Sequence, residues 1–162
     1  MVTDRLYAIA YRILRDPELA QDALQNALVT AWRQVPKLRD PAKFDGWINR
    51  VIVTSCYIES RRHRRYTADV HVLAEYEEPV TADTSRDSAD RDELERAFRR
   101  LPLDQRSVFV LHHYIGLPLV EVAETLGIPA GTARSRLHYA TRSLRSAVEA
   151  DRRATPGERR TA

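Results

Sequence analysis

Gly127 stands between two helical patterns that cannot run on as one straight helix. Before it, Val122, Ala123 and Leu126 recur at helical spacing; after it come Ala133, Leu137, Ala140 and Leu144. Glycine permits the positive φ that a tight inter-helix turn demands, and Ile128 is placed to plug the angle between the helices. At 100° per residue the side opposite the second apolar stripe carries Ser135, His138, Tyr139 and Arg142, with Arg134 on its flank. Thr132 lies near the N-terminus of that helix, where free N–H groups and the dipole favour a phosphate. This is the pattern of a helix-turn-helix, which lays its second helix in the DNA major groove. Arg134, Ser135 and His138 are the candidates for base-edge contacts. Arg136 projects near the buried side and is expected to pair with Glu121 or Glu124.

The helix-turn-helix closes a block that starts near Arg91. Leu94, Ala97, Phe98 and Leu101 predict one helix, which Pro102 breaks. Asp104 to Tyr114 predicts the next, with Gly116 in the C-cap role. His112 and His113 read as helix-surface residues. Residues 151–162 form a polar tail. Residues 66–90, rich in acids and small polar side chains with no sustained period, read as a flexible acidic linker.

The first block, residues 1–65, is also helical throughout. Leu6, Ile9, Ala10, Ile13 and Leu14 open it. Asp16 is placed to cap a second helix, Pro17 to Gln34, with proline at the first helical position. Ala20, Leu24, Ala27, Leu28, Ala31 and Val35 are its expected inner stripe, and Gln21, Asp22, Gln25 and Asn26 lie on the other side. A polar loop, residues 37–43, precedes a third helix on which Trp47, Val51 and Ile58 share a face, with Ile48 and Ile52 beside them. Another stripe of that helix holds Arg50, Tyr57, Arg61 and Arg64. Cations interleaved with an aromatic suit a nucleic-acid strand, because the charges hold phosphates while the ring stacks on a base.

Charge and cysteine content narrow the class further. The net charge of +3 hides segregation: residues 61–65 are basic, whereas residues 69–95 are mostly acidic. Lys37 and Lys43 are the only lysines, and arginine forks match phosphates and guanine edges. Cys56 is the only cysteine, which excludes an intrachain disulfide and a cysteine-rich metal site. No run is apolar enough to span a bilayer and no signal peptide is evident, so a cytoplasmic protein without membrane insertion is expected. There is no close acidic cluster, His/Cys set or glycine-rich phosphate loop, so no catalytic residue, metal or cofactor is expected.

Together the two blocks resemble an extracytoplasmic-function sigma factor, a small specificity subunit of bacterial RNA polymerase. Residues 20–32 resemble the polymerase-binding segment, with Asp22 and Gln25 at its acidic and amide positions. Phe44, Trp47, Ile48 and Arg50 match an F-x-x-W-L-x-R pattern, and Arg61-Arg62 match the arginines that close the promoter-melting helix. Leu101-Pro102, Gln105-Arg106, Gly116-Leu117 and the run from Gly131 to Leu137 match the second domain. The resemblance implies an all-α protein of two small helical domains, sigma region 2 and sigma region 4, joined by the flexible linker. Asp22, Gln25 and Asn26 would dock on the clamp helices of the largest polymerase subunit. Lys37, Arg39 and Lys43 would stand at a loop holding a flipped −10 base. Arg50, Thr54, Tyr57, Arg61 and Arg64 would line the melting helix. Thr132, Arg134, Ser135, His138, Tyr139 and Arg142 would read the −35 element. An anti-sigma protein is a further partner of many such factors, and a monomer is expected. The chain departs from the family pattern at Asn26, Thr54, Ile58 and Pro118, where an acid, Asn, Asp and a Ser or Thr cap are usual. The competing reading is a stand-alone helix-turn-helix regulator using only the second block.

Overall fold

The computed structural model describes the backbone of residues 1–70 and 86–154, and the side chains of residues 1–67 and 92–150. Among the described residues the chain is all-α. Its helices are α1 (Val2–Leu14), α2 (Pro17–Gln34), α3 (Phe44–Val70), α4 (Arg86–Arg100), α5 (Leu103–Phe109), α6 (Leu119–Leu126) and α7 (Ala130–Ala154). Two short 3-10 turns, Val35–Lys37 and Pro41–Lys43, connect α2 to α3, and a π-helical turn, Val110–Tyr114, continues α5.

The five apolar residues that predict α1 are all buried. The helix stops at Arg15, which takes φ 57° and donates its N–H to the Tyr11 carbonyl at 2.8 Å. That conformation costs a non-glycine residue roughly 1–2 kcal/mol. Asp16 then caps α2 as expected: its carboxylate accepts from the N–H groups of Glu18 at 2.8 Å and Leu19 at 2.9 Å. Pro17 fills the first helical position, where no N–H is missed.

The inner face of α2 is rotated from the expected stripe. Ala20, Ala23 and Ala27 are buried, Leu24 and Ala31 are half-buried, and Leu28 and Val35 are exposed. Three alanines let α2 approach its neighbours closely. Leu28 and Val35 lie about 80° and 60° around the helix from Ala20, and so fall outside that narrow contact.

Helix α3 is wedged between two partners. Ile48, Ile52 and Cys56 face α1 and α2, whereas Val53, on the other side, is only 3% exposed. Ile58 falls between the two covered faces and is 55% exposed, so it does not share the inner face expected for it with Val51. The helix also runs on past the arginine cluster to Val70, and α4 begins at Arg86. Both ends of the segment read as a linker are thus helical. Its centre, residues 71–85, and the tail beyond 154 lie outside the described residues.

In the second unit, Ala97, Leu101, Ala140 and Leu144 form a small core that joins α4 to α7. The helix expected from Asp104 to Tyr114 divides instead into α5 and the π-helical turn, in which Ile115 N–H bonds the Val110 carbonyl at 3.1 Å. Gly116, at φ 83°, ends it. Gly127, at φ 65°, makes the expected turn after α6; Ile128 N–H returns to the Ala123 carbonyl at 3.0 Å and satisfies a terminal carbonyl.

The two units do not stand apart. Val108, Val110, Leu111 and Val122 of the second join Leu6, Ile9, Ile13 and Ile52 of the first in one continuous core. Polar contacts seal its rim. Arg15 donates to Glu95 at 2.8 Å, Arg12 lies 3.8 Å from the centre of the Tyr114 ring, and Arg106 reaches the Leu14 carbonyl at 3.4 Å.

The Asp16 cap gives a direct stability test. Asp16→Ala leaves two N–H groups without their acceptor and is expected to cost about 1 kcal/mol, read as a lower urea midpoint with an unchanged slope.

Candidate nucleic-acid interface

The outer face of α7 is built from below. Ala133, Ala140 and Leu144 are buried, which fixes the rotation of the helix and turns Arg134, Ser135, His138, Tyr139 and Arg142 outward. All five are exposed, and Thr132 is half-exposed beside them. His138 and Tyr139 meet edge to face at 5.7 Å. The Ser135 hydroxyl donates to the Thr132 carbonyl at 3.0 Å, which fixes its rotamer and leaves the oxygen free to accept. Arg136 does not pair with Glu121 or Glu124. Its Nε meets Asp104 at 3.0 Å, because α7 crosses the start of α5 while both glutamates project from the outer side of α6.

The α3 stripe is divided by the second unit. Arg61 and Arg64 are exposed, as is Thr54. Arg50 donates to the Glu124 carbonyl of α6. Tyr57 is half-buried, and burial pushes its phenol pKa up, opposed by a hydrogen bond with Ser107. A cleft of about 410 Å³ opens here, between Thr54, Tyr57, Ile58 and Arg61 on one side and Thr125, Leu126 and Arg136 on the other. Lys37 and Lys43 lie exposed on the two 3-10 turns and Arg39 lies exposed between them; the second turn is capped by Asp40 accepting from Ala42 N–H at 3.0 Å.

On α2, Asp22, Gln25 and Asn26 are exposed and border a polar groove of about 470 Å³ with Glu59, Arg62 and Tyr66 of α3. Asn26 donates its amide to Glu59, a carboxylate only 3% exposed. Sequence reading missed Glu59, although an acid in line with Ile52, Ser55 and Cys56 on the buried side of α3 is a visible anomaly. It also missed an apolar patch one turn further along α2, where Trp32 is 78% exposed and Leu28, Val29 and Val35 flank it. The Cys56 thiol is buried and pushed up to about 12, which leaves it protonated and unreactive. Among the described residues no three His, Cys, Asp or Glu side chains gather as a metal site, and no helix is long and apolar enough to cross a membrane.

Comparison with known proteins matches this architecture unit by unit. The family described as Sigma-70 region 2 matches residues 2–66, and Sigma-70, region 4 matches residues 91–144. An RNA polymerase sigma-E factor of Streptomyces avermitilis is 32% identical over 160 residues, covering 97% of this chain and 88% of that protein. This chain belongs to the extracytoplasmic-function family of RNA polymerase sigma factors. The ECF sigma factor SigE of Mycolicibacterium smegmatis is 31% identical over 147 residues, and the chain spans 88% of itself but 56% of that longer protein. For SigM of Mycobacterium tuberculosis the identity is 33% and the shares are 82% and 65%. Among solved structures, the sigma factor RpoE of Bartonella quintana, in complex with the anti-sigma factor NepR, shares the fold with a TM-score of 0.75 at 23% identity, covering 93% of each chain. Within the ECF fold, region 2 thus comprises α1 to α3, and region 4 falls on α4 to α7.

The Asn26 contact accounts for one departure from the family pattern. An acid at position 26 would face the buried Glu59, whereas the amide satisfies it. Asn26→Glu is therefore expected to destabilise the chain by about 1–3 kcal/mol, and adding Glu59→Gln should recover most of the loss. Urea unfolding of the two variants checks both.

Proposed function

We propose that this chain is an alternative sigma factor that binds core RNA polymerase and directs initiation at promoters it selects. In this reading the polar face of α2 (Asp22, Gln25 and Asn26) docks on the clamp helices of the largest subunit. The outer face of α7 reads the −35 element through Arg134, Ser135 and His138, while Thr132, Tyr139 and Arg142 hold its backbone. The edge of α3 with exposed Thr54, Arg61 and Arg64 and half-buried Tyr57, and the loop carrying Lys37, Arg39 and Lys43, take the −10 strand together with Arg50. The chain supplies no catalysis; polymerase does.

One observation carries the proposal. A helix turned outward by a buried alanine stripe presents five exposed side chains able to contact DNA, on the same chain as a separate polar docking face on α2. A stand-alone regulator needs only the first of these and leaves the region 2 fold without a role. An anti-sigma protein is included as a partner, since a structural neighbour of the same fold is held by one.

Run-off transcription with core polymerase on fragments of the source genome tests the reading; silence at every promoter would refute it. On a responsive promoter, Arg134→Ala is expected to lower discrimination between −35 variants by about 1–3 kcal/mol. Arg142→Ala should weaken all promoters alike and flatten the salt dependence by about one unit of slope. Changing Asp22 and Gln25 together to Arg should abolish polymerase pull-down and leave the melting temperature close to that of the parent, because both side chains are exposed.

A further inference from the structure

We propose that the pocket enclosed by α1, α4, the π-helical turn and α7 is a binding site for a small amphipathic carboxylate, an apolar body of about ten carbon atoms ending in one carboxylate group. The inference stands apart from how the chain engages polymerase or promoter, since none of the pocket's residues belongs to the faces assigned to either.

The pocket holds about 460 Å³, within the size of ordinary ligand sites, and its surface is mostly apolar. Val110 and Leu144 enter it from the buried side. Phe98 and Phe109 line it as an edge-to-face pair at 5.5 Å. Leu94 and Tyr114 stand at its mouth, 42% and 44% exposed. A single exposed leucine needs no explanation, but here two large apolar side chains flank an open apolar cavity that neither fills. An apolar body seated there takes that surface and its own out of water. The π-helical turn helps to shape the space: Val110, His113 and Tyr114, three of its five residues, line the pocket. Such turns are rare and recur at functional sites.

The charge around the pocket selects an anion. Arg12 and Arg15 line it, and Glu95 is the one carboxylate among its lining residues. Glu95 is already divided between Arg15, at 2.8 Å, and Arg99, at 3.0 Å. Arg12 lies over the Tyr114 ring and donates Nη1 to the Ala8 carbonyl at 3.2 Å; among the described residues no carboxylate pairs with it. Three guanidinium groups thus have one carboxylate between them. A guanidinium carries five donors, and stacking on a ring face leaves its edge open. Arg12 can therefore take a ligand carboxylate while Arg15 keeps Glu95, in a charge-assisted pair set against an apolar wall. A cationic head would meet two arginines there, and a neutral head would leave Arg12 without an anion.

Isothermal titration of the full chain with decanoate and with 2-naphthylacetate tests the site. At least one of the two should bind at one per chain with a Kd on the order of 10–100 μM, which a ligand of this size can supply. 1-Decanol keeps the tail and butyrate keeps the head; each should bind at least about tenfold more weakly. Decyltrimethylammonium should not saturate the chain. Arg12→Met keeps the stem over Tyr114 and removes the charge, so it should weaken decanoate about tenfold and decanol little. Leu94→Asp, at an exposed position, sets a carboxylate at the mouth and should abolish binding of both acids at unchanged helical content. Saturation by neither acid overturns the proposal, as does equal binding of decanoate and decyltrimethylammonium. Acid binding that survives both substitutions lies elsewhere on the chain and overturns it too.

Discussion

Helix α3 is buried on two sides, and the rest of the molecule is arranged around that fact. Its Ile48, Ile52 and Cys56 face close against α1 and the alanine stripe of α2; its Val53 and Tyr57 side meets α5, α6 and the turn between α6 and α7. A helix with two covered faces keeps only its edges for other partners. One edge carries Glu59 and Arg62 into the groove beside α2, and the other carries Thr54, Ile58 and Arg61 along the cleft toward α6. The polar groups proposed for polymerase lie on α2 across the groove from Glu59 and Arg62, whereas those proposed for the melted strand lie along α3 itself.

Locally encoded features were legible in the sequence. Asp16-Pro17 caps a helix wherever the chain places it, because cap and first turn are adjacent residues. Gly127 makes its turn for the same reason, and the outward set on α7 follows from the alanines beneath it. What was hidden depends on contacts between segments distant in the chain. The periodicity of α3 shows that it is apolar over much of its surface, but not that Val53 is covered while Ile58 is bare; the position of region 4 decides that. Arg136 was expected to pair with Glu121 or Glu124, and only the crossing of α7 over α5 selects Asp104. The π-helical turn follows α5 without a proline or glycine to announce it; Gly116 marks its end alone.

The same distinction governs the shared core. Each unit has apolar positions at ordinary helical spacing, and nothing in that spacing says whether the leftover surface meets solvent or the other unit. Leu111 and Val122 could have completed a core within region 4. Instead they continue the cluster that starts at Leu6. The acidic composition of residues 69–95 was compatible with units held apart, yet Glu95, at the end of that stretch, is the carboxylate that ties α4 to Arg15.

Each unit also has packing of its own. Region 2 keeps the packing of α3 on α1 and α2, which involves Ile48, Ile52 and the alanines of α2. Region 4 keeps the cluster of Ala97, Leu101, Ala140 and Leu144, to which Phe98 and Phe109 add an edge-to-face ring contact at 5.5 Å. Between them lies the apolar strip of Val108, Leu111 and Val122, with Glu95 bridging Arg15 and Arg99 at its rim. Burial of that strip holds the units together in proportion to its area, and the hydrogen bond from Arg15 to Glu95 across its rim adds to this.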